Sequence, residues 1–391
     1  GADVWKIEKP HTGDDTRHWG PPYLKGTQES AYFLSANRGK QSICIDLATE
    51  EGADLVRSLA QQADIVIENY KFGDMKRYGL DYETLRLIKP DIIYCSITGY
   101  GQTGPMKNVA GYDMAIQAIS GLMSITGEAD GRPGGGPQKV GVPISDLLTG
   151  IYSATAVISA LLHRERTGEG QNIDMALLDV QVASLANQNL NFLTTGNPPR
   201  RYGNAHPNIV PYQVFETSDG AFVLAVGNDQ QFRKFCMAAG LSDLAADERF
   251  KTNTDRLRHR EALIPLVSDH LKHATSEHWI SLLEPIGVPC APINKLDQAF
   301  AHPQVVHRGL RIDLQHASGN SAPLVANPIQ FSRTKIEYSS APPMLGEHTD
   351  QVLTDALNLS IEEIHRLRQR GVIYSWNAEA VGATQNEAVG G

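Results

Sequence analysis

The sequence predicts an α/β fold in which a mainly parallel sheet is followed by a smaller α+β domain. Short apolar runs alternate with helical patterns through the first half of the chain, an order typical of βαβ units. Near position 195 this order is broken by a Gly- and Pro-containing segment, 195–199. The length of 391 residues exceeds the ~250–300 residues at which a single hydrophobic core stops growing. We therefore expect two domains.

Elements of the first half follow from the period of the apolar residues. The predicted strands are 4–8, 42–47, 64–69 and 91–98, and the predicted helices are 50–62, 82–88 and about 147–166. The last of these helices places Ile151, Ile158 and Leu162 on one face. Parallel strands joined by helices are buried on both faces, so this half should contain the larger core.

A predicted strand at 171–177 leads into a helix that contains Asp179. Apolar residues at 178, 182, 185 and 193 indicate that this helix is continuous. Asp179 then lies in the first turn, where free amide donors and the helix dipole stabilise negative charge. An ionised carboxylate there can act as a nucleophile, but aspartate more often caps a helix at such a position. On residue chemistry alone, both interpretations stay open.

The second half has a different pattern. Segments 212–217 and 221–226 flank Ser218-Asp219-Gly220 and predict a hairpin. Helices are predicted at 229–239 and 260–271, a short strand near 291–293, and a final helix at 360–370 that Ser360 caps. The segment from Ala378 is rich in Gly and Ala and is predicted to be disordered.

Charge and cysteine content exclude several classes of function. The formal charge is −9, and basic residues form no long run, which argues against nucleic acid or a membrane as the main partner. No run of 18 apolar residues occurs, and the first residues read as a strand rather than a targeting peptide. The four cysteines are widely separated and have no metal-ligand spacing, so we expect no disulfide framework, no metal and a reducing compartment.

The glycine-rich segment 99–104 spells GxGxxG after a predicted strand, which is typical of a dinucleotide site. Pro105, Lys107 and Asn108 follow where an apolar helix should begin. The segment is therefore predicted to be a plain turn, without a nicotinamide cofactor. The chain also has neither the nucleophile elbow of α/β hydrolases nor a P-loop.

Other polar residues leave their roles open. Asp146 opens the predicted long helix, and Tyr112-Asp113 follows the glycine-rich segment; aspartate at such places is either a cap or turn residue or part of a site. Several basic residues lie near predicted strand ends, where open α/β sheets bind ligands. They are Lys9, Arg38, Lys40, Arg77 and Lys107. Solvated surface charge is the alternative.

Several separated blocks, taken together, resemble the class III CoA-transferase family (CaiB/BaiF type). The blocks are GADV and KIEK within 1–9, NRGK at 37–40, ENY at 68–70, SITGYGQTGP at 96–105, AGYD at 110–113, TGEGQ at 167–171, GNAH and VPY within 203–212, and GEHT at 346–349. The combination is most similar to members that exchange CoA between succinate and hydroxymethylglutarate.

This resemblance implies that Asp179 is a covalent nucleophile. In the family, the matching aspartate attacks an acyl-CoA thioester, and an aspartyl anhydride and an aspartyl-CoA thioester form in turn. CoA is then a substrate rather than a bound cofactor. The residues implied to contact CoA are Lys9, Ile45, Leu47, Asn69, Tyr70 and Arg77, and those implied to line the acyl pocket are Tyr112 and Asp113.

The resemblance also predicts a dicarboxylic acid substrate. Formyl-CoA transferases have a run of glycines where this chain has residues 206–209, HPNI, which disfavours formate and oxalate and leaves room for a larger acid. Arg200, Arg201 and His206 lie beside this loop and are our hypothesis for binding a second carboxylate. The expected donor is succinyl-CoA, and the expected acceptor is glutarate, hydroxymethylglutarate or itaconate.

Two other functions are alternatives. Racemases of α-methylacyl-CoA share the implied fold, but they have His where this chain has Tyr112 and Glu where it has Asp179. Without that histidine, the two-base proton exchange of a racemase lacks one partner. A non-catalytic CoA-binding paralogue is the second alternative.

The implied architecture is a large Rossmann-like domain from 1–200 and 325–391, with a small α+β domain inserted at 201–324. Subunits of the family interlock as homodimers. The family begins with a strand and a helix before the GADV block; we expect this unit to be missing here and a neighbouring chain to supply the missing edge. The mitochondrial matrix or the cytoplasm is the expected compartment.

Overall fold

A computed structural model gives the structure of the chain and describes residues 1–377. Strands and helices follow one another in the mixed α/β order that the sequence predicts. The segment from Ala378, predicted to be disordered, lies outside the described residues.

The elements of the described residues have the following bounds. The strands are β1 (Val4–Glu8), β2 (Lys40–Ile45), β3 (Ile65–Glu68), β4 (Ile93–Thr98), β5 (Gln171–Ala176), β6 (Tyr212–Thr217), β7 (Gly220–Ala225), β8 (Cys290–Pro292), β9 (Arg311–Gln315), β10 (Ser321–Val325) and β11 (Ile373–Tyr374). The helices are α1 (Ala31–Ala36), α2 (Glu50–Gln62), α3 (Asp74–Arg77), α4 (Tyr82–Ile88), α5 (Asp113–Ile119), α6 (Leu122–Ile125), α7 (Ile144–Thr167), α8 (Leu177–Ala183), α9 (Ala186–Thr195), α10 (Asp229–Ala238), α11 (Ser242–Ala246), α12 (Asn253–Arg258), α13 (Arg260–Leu271), α14 (Ser276–Leu283), α15 (Leu296–Ala301), α16 (Pro303–His307), α17 (Thr349–Leu357) and α18 (Ile361–Gln369). Short 3-10 turns lie at Asp15–His18, Glu248–Phe250 and Glu284–Ile286.

The chain forms two compact units, and the first contains the parallel strands. This first unit consists of Gly1–Ala110, Gly150–Ala176 and the chain from Phe300 onward. Its strands β3, β4 and β5 form one parallel sheet, with β4 in the middle. A second sheet pairs β1 in parallel with β2, and β11 joins the other edge of β2 in antiparallel. The prediction of a mainly parallel sheet in this part is confirmed.

Helix ends in the first unit follow ordinary capping chemistry. The Thr49 side chain accepts a hydrogen bond from the Gly52 amide at the start of α2, and α2 has the bounds that the sequence predicts. At α18, Ser360 and Glu363 form a reciprocal capping box, which confirms that Ser360 caps the last helix. These helices pack on β2, whose Ile43 and Ile45 are almost fully buried.

The second unit consists of Gly111–Thr149 and Leu177–Ala299. Its hairpin, β6 and β7, pairs Phe215 with Phe222, and β8 extends the sheet on the other side of β7. Phe215, Phe222 and Trp279 belong to a buried apolar cluster that helices α10, α13 and α14 complete. The predicted hairpin is therefore confirmed, and it is the base of a small α+β core.

The two units divide the chain at other positions than the expected domains. Segments 111–149 and 177–200 group with the second unit, and the segment 300–324 groups with the first. The expected inserted domain at 201–324 thus covers part of the second unit and a segment of the first. As a description of how the family's domains are built, the boundaries 1–200 with 325–391 remain a prediction.

The helix after β5 is interrupted, which corrects the prediction of one continuous helix. α8 ends at Ala183 and α9 begins at Ala186. Ala186 has a φ of 47°, in the left-handed region, which a residue with a side chain rarely adopts. Apolar spacing alone does not reveal this break, because both short helices keep the same period.

Helix α7 exposes apolar side chains. It has 24 residues, and only 28% of its most apolar stretch is buried. Its length and composition would suit a membrane span, but a long helix at a protein–protein interface has the same character. The exposed large side chains of α7 are Leu147, Ile151, Tyr152, Ile158 and Leu162.

Candidate functional site

Asp179 is the third residue of α8, directly after β5. Its side chain is exposed, and within residues 1–377 it has neither a hydrogen-bond donor nor an ion-pair partner. A capping aspartate would accept a hydrogen bond from a first-turn amide, so the capping interpretation has no contact to support it. The structure leaves a free carboxylate at the positive end of a helix.

Buried polar side chains hold α8 in place. The Ser145 hydroxyl, at the start of α7, donates to Gln181 Oε1 at 2.7 Å, and Gln181 Nε2 donates to the Ser184 hydroxyl at 2.9 Å. Ser145 and Gln181 are almost completely buried. Buried polar groups that are fully hydrogen-bonded fix the elements that carry them. Gln181 is two positions after Asp179, so these contacts restrain the backbone that presents the free carboxylate.

Asp113 ties α5 to the start of α7. Its Oδ1 accepts from the Ser145 amide at 2.8 Å, and its Oδ2 accepts from Gln117 Nε2 at 2.6 Å. The side chain thus satisfies a first-turn amide of α7, which is a capping role. Tyr112, the preceding residue, is 73% exposed. Of this pair, Tyr112 is the residue whose side chain is available to a ligand.

Asp146 lies in the first turn of α7. The residue is exposed at the surface, but neighbouring protein atoms partly desolvate its carboxyl group; this desolvation, with a smaller contribution from the Asp113 charge, raises the pKa of Asp146 to about 6. Raised carboxyl pKa values of this size occur at functional sites and also in structural networks. Asp146 therefore stays open between a cap and a site residue.

The glycine-rich segment 99–104 is a turn, as predicted. No helix begins in the described chain between β4 and α5. The Gln102 amide donates to both carboxylate oxygens of Asp174 in β5, at 3.1 and 3.0 Å. Gly101 has a φ of 87°, which glycine adopts without strain. The segment is thus tied to the neighbouring strand and lacks the strand–loop–helix arrangement of a dinucleotide site.

The residues implied to contact CoA all lie in the first unit. Lys9 follows β1 and is exposed, and its carbonyl accepts from the Gly13 amide at 2.9 Å. The Ile45 side chain is buried in the core beside β2, and Leu47 packs against a second apolar cluster. Ile45 and Leu47 can therefore present backbone, rather than side chains, to a ligand.

The remaining positions of this set form an exposed aromatic and basic surface after β3. Asn69 and Tyr70 are exposed, and Phe72 next to them has the Lys107 ammonium 4.6 Å from its ring centroid. Arg77 in α3 pairs with Asp74 at 3.5 Å, but its side chain is largely exposed. Flat aromatic rings and basic side chains suit an adenine ring and phosphates.

The three residues proposed for a second carboxylate differ in availability. Arg200 is exposed. The Arg201 guanidinium is 9% exposed and forms an ion pair with Asp130, and it also donates to the Ser124 carbonyl at 3.0 Å. Arg201 therefore holds the segment 124–130 in place, and few of its N–H donors remain free to bind a substrate.

His206 is a hydrogen-bonding group rather than a cation. Its Nδ1 accepts from the Asn208 amide at 3.0 Å, which leaves the proton on Nε2 in the neutral ring. Burial, with a contribution from Arg260, lowers the pKa of His206. Arg260 is a residue that sequence reasoning missed. It opens α13 and is brought to the 200–208 segment only by folding.

Across residues 1–377, no three His, Cys, Asp or Glu side chains gather in a way that would hold a metal ion. The chemistry available to the described residues is that of a free carboxylate, oriented amides and arginines.

Comparison with known proteins assigns the family. Residues 1–349 match the family described as CoA-transferase family III. The succinate–glutarate CoA-transferase of Agrobacterium fabrum is 51% identical over 359 residues, which cover 91% of this chain and 89% of that protein. The succinyl-CoA:glutarate CoA-transferase of Homo sapiens is 41% identical over 373 residues, 95% of this chain and 84% of that protein.

A solved structure agrees with this assignment. The crystal structure of a CAIB/BAIF family protein from Brucella suis is 48% identical and superposes with a TM-score of 0.79, covering 91% of this chain and 92% of that one. The family match extends over most of the chain and includes the sequence blocks that resemble the family. The chain belongs to CoA-transferase family III and is a CoA-transferase.

Proposed function

We propose that this enzyme moves CoA from succinyl-CoA to a dicarboxylic acid, with glutarate as the first acceptor to test. The observation that carries the proposal is the free, exposed carboxylate of Asp179 in a family of CoA-transferases. Relatives named for succinate and glutarate support the substrates. Hydroxymethylglutarate and itaconate are further acceptors of the same chemical class.

In the proposed mechanism, an oxygen of the Asp179 carboxylate attacks the thioester carbonyl of succinyl-CoA. The C–S bond breaks, and CoA thiolate leaves an anhydride between Asp179 and succinate. The thiolate then attacks the aspartyl carbonyl, so that succinate departs and an aspartyl-CoA thioester remains. Covalent catalysis of this kind divides one exchange into steps of similar energy.

The acceptor reverses this sequence. A glutarate carboxylate attacks the aspartyl thioester and releases the thiolate, which then attacks the glutaryl carbonyl of the new anhydride. Glutaryl-CoA leaves, and the Asp179 carboxylate is restored. No proton is gained or lost overall, so the site has to supply donors for developing oxyanions rather than a general base. Amides at the start of α8 are suitable donors.

The CoA contacts and the acyl-pocket residues are proposed from the family resemblance. Lys9, Asn69, Tyr70 and Arg77 are the proposed side-chain contacts to CoA, with backbone contacts from Ile45 and Leu47. Tyr112 would line the acyl pocket, and Asp113 would position the start of α7 through its hydrogen bond with the Ser145 amide. Arg200 and His206 remain proposed contacts to the distal carboxylate. Arg201 is a less suitable contact, because its guanidinium already pairs with Asp130.

A homodimer is proposed as the working state. The exposed apolar face of α7 supports it, since a partner chain would remove this surface from water. The four cysteines are free thiols, and three are buried, which supports a reducing compartment such as the mitochondrial matrix or the cytoplasm.

The test incubates the enzyme with succinyl-CoA and glutarate and measures the formation of glutaryl-CoA by mass spectrometry. Asp179→Ala should lower the rate about a thousandfold or more. Asp243→Ala removes another exposed aspartate from the first turn of a helix, α11, and should leave the rate unchanged. Exchange of the acyl α-proton in deuterated water without transfer would favour a racemase. Binding of CoA without either reaction would favour a non-catalytic paralogue.

A further inference from the structure

Two arginines of the second unit share one tyrosine ring. The Arg200 guanidinium lies 5.1 Å from the Tyr202 ring centroid, and the Arg260 guanidinium lies 5.0 Å from it. Arg200 Nε also donates to the Tyr202 hydroxyl at 3.1 Å. Both positive charges are therefore held against the same side chain. We refer to Arg200 and Arg260 as the arginine pair.

Within the part of the chain that the structure describes, no carboxylate forms an ion pair with either guanidinium of the arginine pair. The Glu261 charge acts on both arginines without bonding to either. Burial lowers the pKa of Arg260, and the Arg200 charge adds to this effect. Two like charges held together without a partner are stabilised when an anion binds to them.

Arg260 uses one of its three guanidinium nitrogens to bond the backbone of residues 206 and 207. Its Nη2 donates to the His206 carbonyl at 2.6 Å and to the Pro207 carbonyl at 3.3 Å. A guanidinium has five N–H donors, and those on Nη1 and Nε meet no acceptor among residues 1–377. The group is thus oriented in advance, with donors left for a planar anion such as a carboxylate.

The loop that Arg260 holds is linked to the helix after the Asp179 helix. Asn208 Oδ1 accepts from Asn191 at 3.1 Å and from Asn187 at 3.4 Å, both in α9. The Asn208 amide donates to His206 Nδ1, which leaves the His206 Nε2–H as a further donor. Arg200 therefore lies on a loop that is fastened to α9, and Arg260 of α13 bonds to the backbone of the same loop.

We propose that the arginine pair, with Arg260 as its fixed member, binds the distal carboxylate of the dicarboxylic acid. This inference rests on the proposed CoA transfer, for which it names the residue that selects a dicarboxylate over a monocarboxylate. It assigns to Arg260 the role that sequence reasoning gave to Arg201, because the Arg201 guanidinium is taken up by Asp130 and the Ser124 carbonyl.

The first experiment compares glutarate with pentanoate, which has the same chain length and one carboxylate. In Arg260→Met, the preference for glutarate in kcat/KM should fall roughly 10- to 100-fold, mainly through KM. If Arg260 only held the loop, kcat/KM would fall equally for glutarate and for pentanoate. Arg258→Met is the matched control, since Arg258 is an exposed neighbour paired with Asp255, and it should keep the preference.

One outcome of these kinetics would overturn the inference while the proposed function stands: the wild-type enzyme transfers CoA, and Arg260→Met keeps the preference for glutarate. If Arg201→Met then loses the preference, the role belongs to Arg201 instead. Circular dichroism of each variant confirms that a changed preference does not come from unfolding.

Calorimetric binding of glutarate separates the inference from the proposed function, because it needs no turnover. If the wild-type protein transfers no CoA, the proposed function fails and binding decides the inference. Weaker binding by Arg260→Met than by wild type and by Arg258→Met supports the arginine pair. Equal binding by wild type and Arg260→Met contradicts it.

Discussion

Individual carboxyl groups of the second unit differ in their surroundings, and so in their expected behaviour. Asp113 is satisfied by the Ser145 amide and the Gln117 side chain. Asp146 has its pKa raised to about 6 by partial burial and by Asp113. Asp179 is exposed and has no partner among the described residues. Of these three carboxyl groups, Asp179 is the one that combines an exposed, unpartnered carboxylate with the start of a helix, which suits a nucleophile.

The raised pKa of Asp146 predicts a pH-dependent gain in stability for Asp146→Asn. A carboxyl group whose pKa is higher in the folded than in the unfolded state destabilises the fold when it ionises, so wild type loses stability as the pH rises from about 4 to about 6. Asparagine removes this loss. Thermal unfolding from pH 4 to 8 should show equal stability at the acidic end and a more stable variant above about pH 6. A difference that does not change with pH would contradict this reasoning.

At the scale of elements, the sequence predicted the starts of capped helices well but did not predict the break between α8 and α9. Thr49 and Ser360 signal the starts of α2 and α18 through their side chains. The break between α8 and α9 depends on the positive φ of Ala186, and alanine carries no sequence signal for that conformation. The apolar period, which is all that the sequence offers here, therefore did not show the break.

The buried contact between α7 and α8 predicts that Gln181→Leu destabilises the protein. It leaves the Ser145 hydroxyl buried without its acceptor, which costs about 1–3 kcal/mol. Urea unfolding measures this loss, and Gln62→Leu, at the exposed end of α2, should change stability by about 0.5 kcal/mol or less. Combining Gln181→Leu with Ser145→Ala should recover part of the loss, since both partners are then gone. A strictly additive double variant would argue against the contact.

At the scale of the whole molecule, the family and the α/β order could be read from the sequence, whereas the position of Arg260 beside Tyr202 could not. The CoA-transferase blocks are local and keep their order. Arg260 reaches Tyr202 and His206 only through the fold of the second unit. Arg201, which looked available in the sequence, is occupied by Asp130. The hypothesis that Arg200, Arg201 and His206 bind a second carboxylate stays a prediction, and nearness in the sequence could not show that Arg201 is already paired.

The exposed face of α7 predicts that the protein is a dimer in solution. Replacing Ile158 with glutamate puts a charge on this face and should shift sedimentation toward the monomer, because a buried unpaired charge is unfavourable. Leu87→Glu, on an equally exposed leucine of α4, should leave the dimer intact. A wild-type monomer, or an Ile158→Glu dimer of unchanged affinity, would show that α7 is not the interface.

The measurement that tests the central claim most directly is intact-mass analysis of the protein after incubation with succinyl-CoA. We expect a CoA-sized mass increase on the wild-type chain that maps to the peptide containing Asp179. The Asp179→Ala variant should show no increase, while Asp243→Ala should behave as wild type. The same adduct on Asp179→Ala, or glutaryl-CoA formation by that variant at the wild-type rate, would contradict the account.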